Sequence, residues 1–307
     1  MTKEGRIVKG VGGLYTVLCG DGTELVCPAK GLFRLNGQTP YVGDLVQVEL
    51  EGESAVIAGL LPRRTLTVRP PVANIDQLLM VVSTRSPVPN ALVLDRLIAL
   101  AECKGIEPAI VFTKVDLTPA EPWLDIYRRA GFRTEACDLR QGVTLDGRPA
   151  AETLAPWFAG HVTALCGNSG VGKTTLLGHL LPGVELQTGE VSRKLGRGRH
   201  TTRQVELYPA PGGGFIADTP GFSSWDAESG ELMTREALLR GFREFARFEG
   251  QCRFDDCSHT AEKGCAVIQA VKNGEIARSR FDSYCALYNE VRNLQEWQLA
   301  HRPNVIR

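Results

Sequence analysis

The sequence predicts an α/β fold in which a small β-barrel comes first, a doubly wound domain of strands and helices follows, and a compact helical domain ends the chain. Three observations predict this order. Short strand patterns separated by turn residues fill residues 5–64, strand and helix patterns alternate from residue 78 onwards, and cysteines cluster between residues 252 and 265. We expect three domains, at residues 1–66, 70–226 and 227–307.

The composition excludes several classes of protein. The chain has 307 residues, and its 35 basic residues (Lys and Arg) balance its 35 acidic residues, so only local patches can attract a polyanion. Its nine cysteines are unevenly placed, which favours reduced thiols and a metal site over a disulfide framework. The N-terminus lacks the apolar stretch of a signal peptide, and no apolar run approaches the ~18–20 residues of a membrane span. We therefore expect a cytoplasmic protein that does not enter a membrane.

The first part of the chain is predicted to form an OB-type β-barrel. Five strand patterns rich in Val, Leu and Ile are separated by turn residues: Gly5–Val11, Leu14–Cys19, Glu24–Pro28, Asp44–Leu50 and Ala55–Leu61. Such barrels often bind nucleic acid, but a purely structural barrel also fits the balanced charge and scarce aromatic residues. The candidates for phosphate contacts are Lys9, Lys30, Arg34, Arg63 and Arg64.

A linker with two consecutive prolines, Arg69-Pro70-Pro71, separates the barrel from alternating strand and helix patterns. Strands are predicted at residues 78–83, 108–113, 132–136 and 161–166, and helices at residues 92–104 and 122–130 and ending near Trp157. Ligand sites in a doubly wound domain lie at the carboxyl ends of the strands. The loops after these strands are therefore the candidate sites.

The loop after residues 161–166 has the composition of a phosphate-binding P-loop, and it runs into a helix pattern. Its residues are Gly167, Asn168, Ser169, Gly170, Val171, Gly172, Lys173, Thr174 and Thr175. The glycines let backbone N–H groups converge on an anion, Lys173 can reach the β- and γ-phosphates, and the Thr174 hydroxyl can bind Mg²⁺. A glycine-rich turn without a ligand is the alternative. Because every motif residue is present between a strand and a helix, the loop predicts a nucleoside triphosphate site.

The loop Thr113-Lys114-Val115-Asp116 is similar to the Asn-Lys-x-Asp loop with which P-loop GTPases read guanine. A carboxylate at Asp116 can accept hydrogen bonds from the N1–H and amino groups of guanine, and adenine offers neither donor in that geometry. In the alternative, Asp116 caps the helix that follows. Replacing Asp116 by Asn should weaken GTP binding and favour xanthosine triphosphate.

Thr113 stands where the GTPase loop usually has Asn. The Asn carboxamide can brace the P-loop and touch the base at once, whereas a hydroxyl can do only part of this. We therefore expect a lower nucleotide affinity than with Asn, and guanine selectivity that Asp116 retains. A second base-contacting loop is predicted at Ala136-Cys137, after the strand.

The motifs occur in an order that is unusual for a GTPase, because the base loop precedes the P-loop. Segments similar to switch I and to the Asp-x-x-Gly of switch II follow at residues 196–203 and 218–221. The second segment begins at Asp218 and ends at Gly221. Asp218 can hold Mg²⁺ through water, and Thr202 of switch I is expected to complete the coordination of Mg²⁺. The pattern predicts a circularly permuted GTPase domain whose switch II leads directly into the C-terminal domain and transmits the nucleotide state to it.

The expected machinery for hydrolysis is incomplete. Phe222 follows the Asp-x-x-Gly segment where Ras-like enzymes carry the Gln that orients water, so intrinsic turnover should be on the order of 10⁻⁴–10⁻² s⁻¹. The catalytic candidates are Lys173 and, for positioning water, His200, although an exposed loop His without a role is the alternative. Basic residues in the same region suit either solvent or an RNA backbone: Arg193, Lys194, Arg197, Arg199 and Arg203.

A cysteine and histidine cluster marks the C-terminal domain, with the spacing C-x4-C-x-H-x5-C. Its members are Cys252, Cys257, His259 and Cys265. Three thiolates and one imidazole make a closed tetrahedral set typical of structural zinc, with no position left for a catalytic water. Incidental reduced cysteines are the alternative. Helix patterns at residues 235–248, 266–271 and 281–300 surround the cluster, and so small a core needs the metal as a staple.

With its barrel, permuted GTPase motifs and zinc cluster in this order, the chain resembles the bacterial small ribosomal subunit biogenesis GTPase A family over nearly its whole length. The resemblance implies hydrolysis of GTP to GDP and phosphate, stimulated by the small (30S) ribosomal subunit during its late maturation. It also implies contacts of the barrel and zinc domain with 16S rRNA, one structural Zn²⁺, Mg²⁺ bound with GTP, and a monomer. Thr113 and the pair Thr174-Thr175, where Ser is common, depart from the family pattern.

Two other functions fit part of the pattern. A P-loop ATPase or kinase that acts on a small molecule would bind ATP in competition with GTP. A nucleotide-gated RNA-binding module would show no turnover stimulated by ribosomal subunits, and Phe222 is compatible with such a module.

Overall fold

The structure, a computed structural model, describes residues 1–35, 37–52, 54–67, 71–184, 205–218, 232–293 and 305–306. The strands in chain order are β1 (Thr2–Val11), β2 (Leu14–Cys19), β3 (Glu24–Pro28), β4 (Leu45–Glu51), β5 (Ser54–Leu60), β6 (Gln77–Ser83), β7 (Glu107–Thr113), β8 (Arg133–Asp138), β9 (Val143–Thr144), β10 (Val162–Cys166), β11 (Glu206–Pro209), β12 (Phe215–Asp218), β13 (Leu232–Met233) and β14 (Val305–Ile306). The helices are α1 (Leu32–Leu35), α2 (Ala91–Cys103), α3 (Glu121–Arg129), α4 (Ala150–Phe158), α5 (Lys173–Leu180), α6 (Arg235–Arg240), a 3-10 helix (Arg243–Phe248), α7 (Ala266–Lys272) and α8 (Arg278–Val291).

The chain divides into two compact units. The first comprises Met1–Gln77, Pro149–Cys166 and Lys173–Ser223, and the second comprises Leu78–Arg148, Gly167–Gly172 and Ser224–Arg307. The proposed three-domain division at residues 1–66, 70–226 and 227–307 stays a prediction. Within the described ranges, no helix combines the length and the apolar character that a bilayer crossing requires.

The predicted OB-type barrel forms the beginning of the first unit. Strand β1 pairs antiparallel with β2 and β4, β2 pairs with β3, and β4 pairs with β5. A parallel bridge between Ala29 and Ile57 joins the two ends of this order. Alternate side chains point inward and are fully buried, among them Ile7, Val17 and Val46. Strands β2 and β3 have the bounds that the sequence predicts.

A second group of strands in the same unit continues from the barrel. Strand β11 pairs antiparallel with β1, where Lys9 lies opposite Glu206, and it also pairs antiparallel with β12. Strand β12 in turn runs parallel to β10, with Ala217 opposite Ala164. Every residue of β10 is buried, as expected for a strand with neighbours on both faces. The strands that precede the P-loop and the Asp-x-x-Gly segment therefore end at the same edge of the sheet.

The second unit contains the strand that carries the base loop. Strands β7 and β8 are parallel, with Thr113 opposite Cys137, and the short β9 runs antiparallel to β8. Asn90 caps the N-terminus of helix α2, and its side-chain oxygen accepts a hydrogen bond from the N–H of Val93 at 3.2 Å. The buried face of this helix includes Ile98 and Ala99, so the amphipathic helix predicted from the sequence is present.

Two predicted helices differ from the structure. The predicted helix at residues 235–248 is interrupted at Gly241, where α6 ends and a 3-10 helix follows at Arg243. Gly241 approaches α2 so closely that a Cβ atom there would lie 2.7 Å from Cβ of Ala99, which only glycine permits. The last predicted helix begins at Arg278, before residue 281, and ends at Val291. The part of that prediction at residues 294–300 lies outside the described residues.

Candidate nucleotide site and metal cluster

Thr113, at the carboxyl end of β7, braces the predicted P-loop. Its side chain is fully buried, and its Oγ1 donates a hydrogen bond to the backbone carbonyl of Val171 at 2.6 Å. A hydroxyl carries a single proton, so this donor is committed to the loop. Thr113 therefore supplies the bracing contact expected of Asn at this position, and it has no second donor for a base.

Two glycines of the P-loop occupy positions where any other residue would be strained. Gly167 has a φ of +143°, and a Cβ atom there would lie 2.2 Å from the carbonyl oxygen of Val81. Gly172 has a φ of +102°, and its Cβ would lie 3.0 Å from Cδ1 of Leu139. Both positions combine a backbone conformation that favours glycine with a close neighbour. The opposite side of the loop is open, since Asn168, Ser169 and Gly170 are exposed.

Lys173 and Thr174 lie in the first turn of α5. The helix buries Leu176, Leu177 and Leu180, while Thr174 and Thr175 are exposed. Burial lowers the pKa of Lys173, because a partly desolvated ammonium loses hydration that stabilises its charge. An anion such as a phosphate would restore that stabilisation. The roles of Lys173 on phosphate and of Thr174 on Mg²⁺ stay predictions.

The backbone of the base loop is held in an unusual conformation. Lys114 has a φ of +58°, which is rare for a residue other than glycine and is typical of functional loops. Two hydrogen bonds from Thr84 support it, one from its N–H to the carbonyl of Thr113 at 2.9 Å and one from its hydroxyl to the carbonyl of Lys114 at 2.9 Å. The Lys114 ammonium donates to the carbonyl of Ser86. No local pattern in the sequence indicates this role of Thr84, because it depends on a contact between segments that are distant in the chain.

Asp116 does not cap the following helix. Helix α3 begins at Glu121, and its N-cap is Ala120, which makes no side-chain cap. The Asp116 carboxylate instead pairs with Arg140, with 3.2 Å between Oδ2 and Nη1, and keeps 22% of its side chain exposed. Val115 lies between Lys114 and Asp116 in the same turn. The capping alternative is therefore wrong for α3, and the carboxylate is accessible to a ligand.

The structure does not place a loop at Ala136-Cys137, where the sequence predicted a second contact with the base. Ala136 and Cys137 are fully buried inside β8, which continues to Asp138. The loop begins only after that residue, and Asp138 Oδ1 accepts a hydrogen bond from the N–H of Arg140 at 2.9 Å. Asp138 and, four residues later, Gly142 are residue types that favour turns. Together they would have located this loop. Sequence reasoning missed Arg140 altogether.

The switch segments are described only in part. Asp218 ends β12, and the Asp218 backbone pairs with Glu206 of β11. Because β12 is parallel to β10, its carboxyl end lies at the edge where β10 leads into the P-loop. His200, Thr202, Gly221 and Phe222 lie outside the described residues, as do the basic residues of residues 193–203.

Most of the basic residues proposed for phosphate contact in the barrel form ion pairs within the chain. The pairs are Lys9 with Glu206 at 3.0 Å, Lys30 with Glu49 at 2.5 Å, and Arg63 with Asp44 at 2.6 Å. The side chain of Arg34 lies outside the described residues. A polyanion would have to compete with these carboxylates for Lys9, Lys30 and Arg63.

The four predicted metal ligands converge in the second unit. One ligand atom from each of Cys252, Cys257, His259 and Cys265 lies within 4.8 Å of the others. His259 Nδ1 is 3.5 Å from Sγ of Cys252 and 3.4 Å from Sγ of Cys265. A tetrahedral zinc ion needs this kind of closely spaced set of sulfur and nitrogen ligands. The alternative of incidental cysteines does not explain the convergence.

The surroundings of the cluster also fit a metal bound by thiolates. The N–H of Ala266 donates to Sγ of Cys252 at 3.3 Å, and the N–H of Ile268 donates to Sγ of Cys265 at 3.5 Å. Donors of this kind stabilise negative sulfur and orient the ligands. Burial raises the pKa of the Cys257 thiol to about 12, so that thiol needs a cation to lose its proton at neutral pH.

The loop that presents His259 is held by Glu262. Its carboxylate accepts hydrogen bonds from the backbone N–H groups of Ser258 at 2.8 Å and Thr260 at 3.0 Å. Together with the Ser258 hydroxyl, these bonds hold the pKa of Glu262 near 2, although burial alone would raise it. Burial lowers the pKa of His259, which favours the neutral imidazole that can bind a metal.

Comparisons with known families and proteins agree with this organisation. The family model described as the RsgA N-terminal domain matches residues 4–57, and the model described as RsgA GTPase matches residues 60–228. A protein of Caldanaerobacter subterraneus subsp. tengcongensis is 39% identical over 297 residues, which cover 95% of this chain and 97% of that protein. A protein of Streptococcus pneumoniae is 41% identical over 294 residues, which cover 95% and 96%. Both carry the name small ribosomal subunit biogenesis GTPase RsgA.

Two solved structures have the same fold. The crystal structure of YjeQ from Thermotoga maritima matches with a TM-score of 0.79 and 29% sequence identity. The match covers 96% of this chain and 100% of that chain. The crystal structure of YloQ, described as a circularly permuted GTPase, matches with a TM-score of 0.77 and 30% identity, covering 95% and 96%. The circular permutation inferred from the motif order is therefore confirmed by the fold.

Proposed function

The chain belongs to the RsgA GTPase family, and on that premise we propose that it binds the small ribosomal subunit late in the subunit's maturation and uses GTP hydrolysis to control binding and release. Binding of the subunit rests on the names of the relatives, and the structural observation that supports the nucleotide site is the hydrogen bond from Thr113 to Val171. It joins the base loop to the P-loop, which is the arrangement that a guanine nucleotide site requires. The accessible carboxylate of Asp116 on that base loop favours guanine over adenine.

In this proposal, each part of the loops has a distinct role toward GTP. The N–H groups of residues 167–172 and the ammonium of Lys173 bind the phosphates, and Asp116 accepts hydrogen bonds from the base. Thr174 and Asp218 are the residues that would hold Mg²⁺ with GTP, together with Thr202 in switch I. When bound, Mg²⁺ would supply positive charge to the β- and γ-phosphate oxygens.

The proposed turnover is slow until the subunit is bound. Phe222 replaces the water-orienting Gln of Ras-like enzymes, so the free protein should hydrolyse GTP slowly. His200 is the proposed group that orients water once switch I is fixed by the subunit. Replacing His200 by Ala should then abolish the stimulated turnover and leave the basal turnover unchanged. Intact stimulation in that variant would exclude His200.

The zinc cluster is proposed to hold one structural Zn²⁺ through Cys252, Cys257, His259 and Cys265, because its closed ligand set leaves no position for a reacting water. We further propose that the barrel and the C-terminal region contact 16S rRNA, with salt-dependent contributions from the basic residues of residues 193–203. A monomer in the cytoplasm, where its subunit partner matures, completes the proposal.

Turnover of GTP and ATP, measured with and without purified small ribosomal subunits, tests the proposed function. We expect slow GTP turnover alone, an increase of at least about tenfold with subunits, and no turnover of ATP. Equal use of ATP would favour an ATPase or kinase instead. GTP binding without any stimulation by subunits would favour a nucleotide-gated RNA-binding module.

A further inference from the structure

Arg140 contacts the carboxylate that is proposed to read guanine. Its Nη1 lies 3.2 Å from Oδ2 of Asp116, with 78% of the Arg140 side chain exposed. An ion pair this exposed contributes little to folding stability. Both groups are nevertheless open to a ligand, so a base that reaches the carboxylate also meets the guanidinium.

The position of Arg140 is fixed by its neighbours in the loop. Asp138 Oδ1 accepts a hydrogen bond from the Arg140 N–H at 2.9 Å, which closes a turn at the end of β8. Leu139 is buried, and its Cδ1 would lie 3.0 Å from a Cβ atom on Gly172. The segment is therefore packed against the P-loop, while its guanidinium reaches the base loop.

The pair has unused hydrogen-bonding capacity that matches guanine. An ionised carboxylate offers about four acceptor sites, so the ion pair with Arg140 leaves room for the N1–H and amino donors of guanine. A guanidinium has five N–H donors in a planar fork, so donors are available to a ligand beside the ion pair with Asp116. Guanine carries the acceptor O6 beside N1–H, and adenine carries an amino donor at that place.

We propose that Arg140 is a specificity-determining residue that donates a hydrogen bond to O6 of guanine while it stays paired with Asp116. This role rests on the proposed function, because it requires that Asp116 reads guanine. The pair then presents acceptors to N1–H and the amino group and a donor to O6. Adenine would place a donor against the guanidinium and an acceptor against the carboxylate, leaving both unsatisfied.

Equilibrium binding of GDP, IDP and 6-thio-GDP to the full chain at pH 7 tests this role in the variant Arg140→Ala. IDP keeps O6 and lacks the exocyclic amino group, whereas 6-thio-GDP replaces O6 by sulfur, a weaker acceptor. The variant should bind GDP and IDP about 3–10-fold more weakly and bind 6-thio-GDP within about twofold of the unaltered chain. The matched control is Arg148→Ala, because Arg148 forms another exposed pair, with Asp146 at 2.6 Å. It should leave all three affinities unchanged.

Two results would overturn the role of Arg140. Unchanged GDP binding in Arg140→Ala would show that the guanidinium does not contact the base. Equal losses for all three ligands would show that it acts on the charge or shape of the loop and not on O6. Failure of the proposed function looks different, since the unaltered chain would then bind ADP as tightly as GDP.

Discussion

Two arginine and carboxylate clusters in the second unit show how burial decides what an ion pair does. Arg280 is fully buried with Asp95 and Glu244, whose side chains are 1% and 2% exposed. Arg140 and Asp116 form a pair in which the arginine side chain is 78% exposed and the aspartate side chain 22% exposed. Charges removed from water must stay paired, whereas exposed pairs add little stability and can exchange partners. The first cluster therefore holds the fold, and the second is available to a ligand.

The buried cluster connects segments that are distant in sequence. Arg280 Nη1 donates to Oδ1 of Asp95 at 2.8 Å, and its Nε donates to Oε1 of Glu244 at 2.7 Å. The guanidinium carbon also lies 4.4 Å from the ring centroid of Phe242. Burial alone would lower the pKa of Arg280, but the charges of Glu244 and Asp95 raise it instead. Helix α2 is thereby fixed to α8 and to the 3-10 helix.

Aromatic packing extends the buried cluster to the base loop. The Tyr127 hydroxyl donates to Oδ1 of Asp95 at 3.0 Å. The ring of Tyr127 lies 6.1 Å from that of Phe112, centroid to centroid, and Phe112 directly precedes Thr113. Damage to the buried cluster should therefore also reach the nucleotide site, whereas damage to the exposed pair should not reach the fold.

Among changes to the buried parts of the second unit, loss of the metal should lower the free energy of unfolding most. Cys257→Ser, or removal of zinc with a strong chelator, should lower the free energy of unfolding of the C-terminal region by at least about 5 kcal/mol, because metal binding to such clusters is folding free energy. Denaturant unfolding and a zinc assay, expected to give about one zinc per chain, measure this. Cys285→Ser is the control, since this half-buried thiol lies outside the cluster. Similar stability for the two variants would contradict a structural metal.

Arg280→Met should come next, with a loss of about 3–5 kcal/mol in the free energy of unfolding, because two buried carboxylates lose their partner. Arg278→Met is the matched control on the same helix. Arg278 pairs with Asp282 at the surface with 75% of its side chain exposed, so its loss should stay below about 0.5 kcal/mol. Urea unfolding compares the two variants, and equal losses would show that burial does not separate them.

The pH dependence of stability in Arg280→Met tests whether the unpaired carboxylates cause the loss. Burial raises the pKa of Asp95, and loss of Arg280 should raise it further. The folded state then holds a proton that the unfolded state releases, so the variant regains stability as the pH falls toward the ordinary range of a carboxyl group and loses it as the pH rises. Urea unfolding at pH 5 and pH 7 should show a smaller deficit at pH 5. A constant deficit would mean that uncompensated carboxylates are not the cause.

Thr113→Val should have a smaller effect, because it removes one hydrogen bond and keeps the shape of the side chain. We expect a loss of about 1–3 kcal/mol, since the carbonyl of Val171 is left without its donor. GDP affinity should fall with it. Thr153→Val is the control, because the Thr153 hydroxyl donates to a carbonyl at the surface. If Thr113→Val has the same free energy of unfolding and the same GDP affinity as Thr153→Val, the hydrogen bond from Thr113 to Val171 is unimportant.

Local patterns in the sequence were sufficient to predict the barrel, the loop between β10 and α5, and the four cysteine and histidine side chains that converge. Each of these depends on residues that are close in sequence, such as the spacing from Cys252 to Cys265 or the turns around β2 and β3. The break at Gly241 and the buried cluster could not be predicted in this way. Arg280 and Asp95 are 185 residues apart, and charged residues with helical spacing normally predict a solvent-facing surface.

Measuring the binding of GDP and XDP to Asp116→Asn, together with urea unfolding, shows whether the Asp116 carboxylate reads guanine without holding the fold. If the Asp116 carboxylate reads guanine and does not hold the fold, GDP affinity should fall by at least about tenfold and XDP affinity should rise, since xanthine offers an acceptor where guanine has its amino donor. The free energy of unfolding should change by less than about 0.5 kcal/mol. Unchanged GDP affinity, or a loss of several kcal/mol in stability, would contradict the account.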